Sequence, residues 1–306
     1  MTHSLLLGNG VVWAQQTLNI FALGSVYALL AIGVAAVFSV LGLANFAHGE
    51  LVTLCGFTML GLHALALPWP LIVPLTMVAG GVAAVGMELV AFRPLRHASP
   101  TALLLSTLGL SIIIQNILLV IFGGRPKSVG IGNWSNASFR VHGVVVQWFD
   151  VATILTTIVA LVALNSFLRK SVYGLAMRSA SEDFTMTRLM GIRAGMVISL
   201  VFFVSGLLAG IAAFFYVGTL GQIEYDYGFN PLLKGFIAAV IGGLGSLSGA
   251  VVGGFVLAAL EIIFQVSLPA AKTPFSSAIV FGLVICVLVV RPKGLFAGRG
   301  LLVDRV

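Results

Sequence analysis

Three carboxylates stand inside apolar stretches of this chain: Glu50, Glu88 and Glu261. A carboxylate in hydrocarbon costs roughly 3 kcal/mol on insertion scales, so such a residue is paired or functional. Glu50 sits a few residues into an apolar run and reads as lying at its inner edge. Glu88 and Glu261 read as partners of a nearby Arg or of backbone near an interface. Neutral polar groups accompany them. Gln115 and Asn116 have the amides that tie helices together. Asn45 and Ser246 stand where an interrupted helix would begin, and backbone N–H groups at such a start favour anions such as a carboxylate. His48 has the chemistry to bind, to gate or to cap a turn, beside the role of a packed structural imidazole. This chemistry holds and releases a small polar solute. Nothing in it breaks bonds: GxxxxGK[ST], HExxH and GxSxG are all absent, as is any His/Cys cluster with metal-ligand spacing.

The elements that must position these groups are set by composition. Hydrophobic residues make up 59% of the 306 and charged residues 8%, against roughly 25% charged in an average soluble domain. That much apolar surface needs a bilayer as solvent. The net charge of +7 therefore reads as topological rather than as a nucleic-acid footprint. Cys55 and Cys286 both lie in apolar runs and read as buried, inert thiols.

Arg93/Arg96, Arg169 to Arg193 and Arg291 to Arg305 hold 11 of the 16 Lys/Arg residues. Basic loops stay on the cytoplasmic side. With those clusters inside, the apolar runs predict an all-α polytopic bundle forming a single transmembrane domain over 1–306. The spans run from about Leu18 to Leu43, Ala47 to Leu67, Leu71 to Phe92, Thr101 to Phe122, Val151 to Leu168 and Ala194 to Val217. Leu232 to Leu268 is too long for one span and is broken at Gly242–Ser246; the last span covers about Pro274 to Val290. This gives about nine crossings with the N-terminus outside, or eight if one short segment is re-entrant. Residues 123–150 form an external loop and 169–193 a cytoplasmic one. Glu224 and Asp226 fall in a second external loop. The segments 40–49 and 240–249 echo each other weakly, as duplicated transporter halves do.

In the 169–193 loop, Ser181, Glu182 and Asp183 have the types that cap and charge a helix start. Phe184, Met186, Leu189 and Met190 follow as an apolar stripe, with Arg188 near the helix end and Gly191 beyond it. Such a helix either anchors at the interface or lays a ridge into a partner's groove.

Several stretches carry a family resemblance when taken in order: Asn45–Glu50, Phe92–Arg96, Thr107–Ser111 with Gln115-Asn116, Arg188–Ile192, Ala238–Ser246 and Arg291–Phe296. From about Ala22 to Gly298 the chain resembles the LivH-type permeases of ABC importers for branched-chain amino acids. The resemblance implies a multi-pass subunit of the bacterial inner membrane, not itself an enzyme. It implies a second, LivM-like permease, two cytoplasmic ATPases carrying ATP and Mg, and a periplasmic substrate-binding protein. It also implies that Ser181 to Leu189 is the helix on which the ATPases push. Urea and short-amide permeases share the NxAHGE and GGLGS patterns, so those solutes stay open as cargo. An ion-coupled secondary transporter is the first rival class, and it would place Glu88 or Glu261 at its centre; a channel-like pore is the second.

Overall fold

The computed structural model describes residues 2–42, 44–96, 98–130, 137–182, 184–269, 273, 275–290 and 294. It is a helical bundle. The helices are α1 (Thr2–Leu41), α2 (His48–Ala64), α3 (Trp69–Met87), α4 (Pro100–Phe122), α5 (Trp148–Lys170), α6 (Val172–Glu182), α7 (Phe184–Leu189), α8 (Ala194–Leu220), α9 (Phe229–Gly242), α10 (Leu247–Ser267) and α11 (Ser276–Val290). A π-helical turn, Glu88–Phe92, continues α3. Four short strands form two antiparallel pairs: β1 (Lys127–Ser128) with β4 (Gln222–Ile223), and β2 (Ser138–Val141) with β3 (Val144–Gln147).

Among the described residues, six helical stretches are long and apolar enough to cross a bilayer: Gly10–Leu41, Trp69–Phe92, Pro100–Phe122, Trp148–Lys170, Gly195–Leu220 and Leu247–Ser267. Local chemistry sets their ends. Ser99 accepts the Ala102 N–H and Pro100 opens α4, as cap and N1 residues do. Gly221 closes α8 in the left-handed region. The first helix begins upstream of the expected Leu18. Its polar residues Gln15, Gln16 and Asn19 hide it from an apolar window, but the Gln15 side chain exchanges hydrogen bonds with the backbone of Val145 at 3.0 and 2.8 Å.

Helix α1 is the axis of the bundle and packs along α10, α9 and α8, while α3 lies along α8. The α4 and α5 spans are peripheral, with only 17% of each apolar window buried. Contacts sort the two ends. The β1–β4 ladder joins the 123–150 and 221–228 segments, and the β2–β3 hairpin meets α1 at Gln15. At the opposite end Arg96 lies against Gly195, and Arg169 and Arg178 share a cavity with Gly245. The basic clusters at Arg96 and 169–193 therefore gather at one end, as the charge distribution predicts. Residues 291–293 and 295–306 lie outside the described ones. Cys55 is buried, but Cys286 is exposed on α11, a correction to the expected burial. A helix at the bundle rim turns half its apolar residues outward, where a bilayer replaces the core.

Candidate functional site

Two helices begin inside the bundle rather than at its ends. Glu50 lies in the first turn of α2, yet its carboxylate accepts from Ser111 (2.8 Å) and Gln115 (2.7 Å), midway along α4. His48 Nδ1 lies 3.4 Å from Ser205 Oγ, midway along α8, and Ser205 donates to the Gly33 carbonyl at 2.8 Å. The start of α2 is therefore at mid-depth. Glu50 is 1% exposed, so the expected position at the inner edge is corrected. Apolarity along a run does not report depth, and here the chain re-enters through irregular backbone before α2 starts.

Helix α9 starts at the same depth. A Cβ on Gly49 would stand 2.6 Å from Leu232 Cβ and would also collide with the Gly228 carbonyl. A Cβ on Gly228 would stand 2.5 Å from Thr53 Oγ1. Glycine is required on both sides of this junction because the two backbones touch. From it the helices run opposite ways. α2 reaches the hairpin end, where Gly56 meets Ile223 of β4 and Phe57 stacks on Phe122. α9 reaches the basic end, where Gly243 meets Gly294. Two of the nine expected passes are thus half irregular and half helical. Non-helical backbone at membrane depth survives only when buried in protein or lining a water-filled path. The partner of α2 in this arrangement is α9, not α10, so the 40–49 and 240–249 echo joins segments with different surroundings.

The re-entrant backbone is largely satisfied. The Phe46 N–H donates to Thr107 Oγ1 at 3.3 Å, and the Ala47 N–H to Asn45 Oδ1 at 3.0 Å. Two buried groups at this junction are without a hydrogen-bond partner among the described residues: Asn45 Nδ2 and His48 Nε2. Leaving a buried donor or acceptor unpaired costs about 1–3 kcal/mol, so these atoms call for a partner outside the described residues, water included. Gly33 makes room for the imidazole, since a Cβ there would stand 2.9 Å from His48 Nε2.

The remaining expected residues are scattered. Asn116 is exposed on α4 and donates to its own helix at Ile112 (2.8 Å). Ser246 caps α10, accepting the Gly249 N–H at 3.1 Å, and lies at the basic end. Asn45, His48 and Gln115 are thus grouped around Glu50, while Asn116 and Ser246 are elsewhere.

The other two carboxylates are ion-paired. Glu88, fully buried, bonds Arg96 and accepts from Ser199 Oγ at 2.9 Å, joining α3 and the α3–α4 loop to α8. Glu261 pairs with Lys234 of α9 at 3.0 Å, and Tyr27 of α1 donates to Glu261 at 2.5 Å while accepting from Lys234 at 2.6 Å. Lys234 and Tyr27 escaped the sequence reading. The available signal was that Lys234 is the only basic residue between Arg193 and Lys272, and it lies within an apolar helix.

The 169–193 segment holds two helices rather than one. Ser171 caps α6 by accepting the Gly174 N–H at 2.8 Å. Ser181 and Glu182 therefore close α6, with Ser181 Oγ donating back to the Arg178 carbonyl at 2.7 Å, and the expected helix starts just beyond them at Phe184 as α7. Ser171 opens α6, the additional helix, because it stands directly after α5 with Val172, Leu175 and Met177 at helical spacing behind it. Asp183 lies outside the described residues. Phe184 and Leu189 bound α7, which includes Arg188, and Gly191 follows at φ +82, the left-handed turn that stops a helix.

A profile described as branched-chain amino acid transport system / permease component matches residues 16–288. The chain belongs to this permease family. It is similar to the high-affinity branched-chain amino acid transport system permease protein BraD of Pseudomonas aeruginosa, at 32% identity over 92% of this chain and 95% of the relative. It is also similar to the LivH permease proteins of Salmonella typhimurium (33%) and Escherichia coli (32%), each over 92% of this chain and 94% of the relative. Both mid-depth helix starts of this permease, and its α6–α7 segment, fall within the matched residues.

Proposed function

We propose that this permease is the membrane-spanning half of an ATP-driven importer for branched-chain or related amino acids in a bacterial inner membrane. Its basic end faces the cytoplasm. A second, LivM-like permease completes the path, two ATPases below supply ATP and Mg chemistry, and a periplasmic binding protein delivers cargo. The permease itself breaks no bonds. Relatives named for this transport support the cargo class.

One observation carries the mechanism. Leu189 at the end of α7 is 75% exposed and Met190 beside it 82% exposed, at the basic end. Large apolar residues left outward at a polar end mark a docking ridge. An ATPase gripping this ridge pushes on α7 and, through residues 190–193, on α8. Helix α8 holds His48 through Ser205 and Glu88 through Ser199. The push therefore reaches the start of α2, where Asn45 and His48 carry unpartnered atoms and Gln115 faces Glu50. Cargo passes this junction, and Gly49 against Gly228 is the contact that opens. An ion-coupled mechanism would centre on Glu88 or Glu261, and both are held in ion pairs, with Arg96 and Lys234.

The test is reconstitution. Vesicles holding both permeases, both ATPases and the binding protein should accumulate leucine with ATP, and Leu189→Asp should abolish accumulation while the chain stays in the membrane. Uphill accumulation by this chain alone, or full activity of Leu189→Asp, would overturn the reading.

A further inference from the structure

A cavity of about 410 Å³ opens at the basic end among α1, α5, α6, α8 and the start of α10. Its polar lining is Ser39, Asn165, Arg169, Arg178, Ser181 and Ser248. No Asp or Glu lines it, and neither guanidinium is in an ion pair among the described residues. Val40, Leu164 and Leu168 supply apolar wall. Two unpaired arginines with hydroxyls and an amide form a site for oxyanions, since guanidinium presents forked donors to phosphate or carboxylate. The first turn of α10 adds its positive end.

The neighbouring surface says which oxyanion. On α5, Leu155 (57% exposed), Ile158 (51%) and Val162 (60%) face outward. Asn165 and Arg169, also exposed, continue that row at the same three- and four-residue spacing. One stripe therefore runs from a surface suited to acyl chains into the cavity mouth, with the cation at headgroup level. A zwitterionic amino acid would bring an ammonium with no carboxylate in the lining to receive it. We infer that this cavity binds the phosphate of an anionic phospholipid from the cytoplasmic leaflet, with its acyl chain on the α5 stripe. Basic pockets between helices on that side suit such headgroups. Because Arg178 and Ser181 belong to α6, the bound lipid braces the segment that the ATPases push.

The experiment uses the full chain, purified mildly after equilibration with vesicles of phosphatidylglycerol or of phosphatidylcholine, with retained lipid counted by native mass spectrometry. Phosphatidylglycerol should be retained and phosphatidylcholine not. Each basic residue facing an anionic headgroup contributes about fivefold, so Arg169→Gln/Arg178→Gln should retain about 25-fold less. Arg140→Gln, in the hairpin at the other end, should change nothing. Equal retention of the two lipids, or an unchanged double variant, overturns the proposal. Displacement of phosphatidylglycerol by millimolar leucine also overturns it, because the oxyanion would then be the carboxylate of free cargo.

Discussion

The Lys234–Glu261–Tyr27 cluster gives the sharpest energetic expectation. It ties the mid-depth helix α9 to α1 and α10 through one ion pair and one phenol. The Glu261 side chain is 2% exposed and that of Lys234 18%, so solvent screens the pair little. Removing one partner leaves a charge stranded in low dielectric, and breaking a buried pair this way costs about 3–5 kcal/mol. Replacing both partners with neutral groups of similar volume is often neutral or stabilising. Lys234→Met should therefore destabilise strongly, Glu261→Gln should do so as well, and the double variant should recover most of the loss. At about 2 °C per kcal/mol for a chain of this size, each single variant should melt roughly 6–10 °C lower and the double variant within a few degrees of the parent. Thermal unfolding of the purified chain, followed by its four tryptophans, reads this directly. Additive losses, with the double variant worse than either single one, would refute the claim that the charges exist for each other.

The other expectations rest on separate contacts. Gly49→Ala and Gly228→Ala each insert a methyl where two backbones touch, and overpacking of that kind costs about 1–3 kcal/mol; uptake should fall more than membrane abundance, as transport and immunoblot assays will show. Gly33→Ala meets His48 Nε2, so it should slow uptake, while Gly33→Ala/His48→Ala should restore part of it; no recovery in the double variant would remove His48 from the argument. Asn45→Ala deletes the acceptor for the Ala47 N–H and should lower stability by about 1 kcal/mol, the net worth of one hydrogen bond, measurable by the same melting assay. Arg96→Gln should lower the melting temperature in the same assay by leaving buried Glu88 without its cation.

Much of the bundle was readable because its span ends carry strong local signals. Arg93-Pro94 stops the third span, Ser99-Pro100 starts the fourth, and Gly123 and Gly221 end helices with positive φ. Those residues act within a few positions of themselves, so an apolar window and a breaker suffice. Depth is different. Nothing within the Asn45–Glu50 stretch says that it meets the middle of α4, because Ser111 and Gln115 reach Glu50 from 61 and 65 residues away. The partner of Glu261 was hidden for the same reason: Lys234 is 27 residues distant and Tyr27 is 234. The capping of α6 by Ser171 shows a second kind of failure. A helix does start just beyond Ser181-Glu182-Asp183, at Phe184, but composition alone misses the additional helix that Ser171 opens where α5 ends.

These long-range contacts also explain why the intramembrane carboxylates differ in kind. Glu88 and Glu261 each face a cation and each joins two or three helices, so their charge is spent on holding helices together. Glu50 takes its hydrogen bonds, among the described residues, from two hydroxyls and an amide, those of Thr53, Ser111 and Gln115, with no cation beside it. Neutral donors can be exchanged for water or for a passing ammonium without stranding an opposite charge. Under the proposed opening of the α2–α9 junction, Glu50 is the one of the three whose partners can be exchanged, and it stands one residue from Gly49, where the two helix starts touch. A carboxylate placed for movement needs weak, replaceable partners, and a carboxylate placed for rigidity needs a cation. This chain keeps the first kind at mid-depth on the re-entrant helix and the second kind on the helices around it.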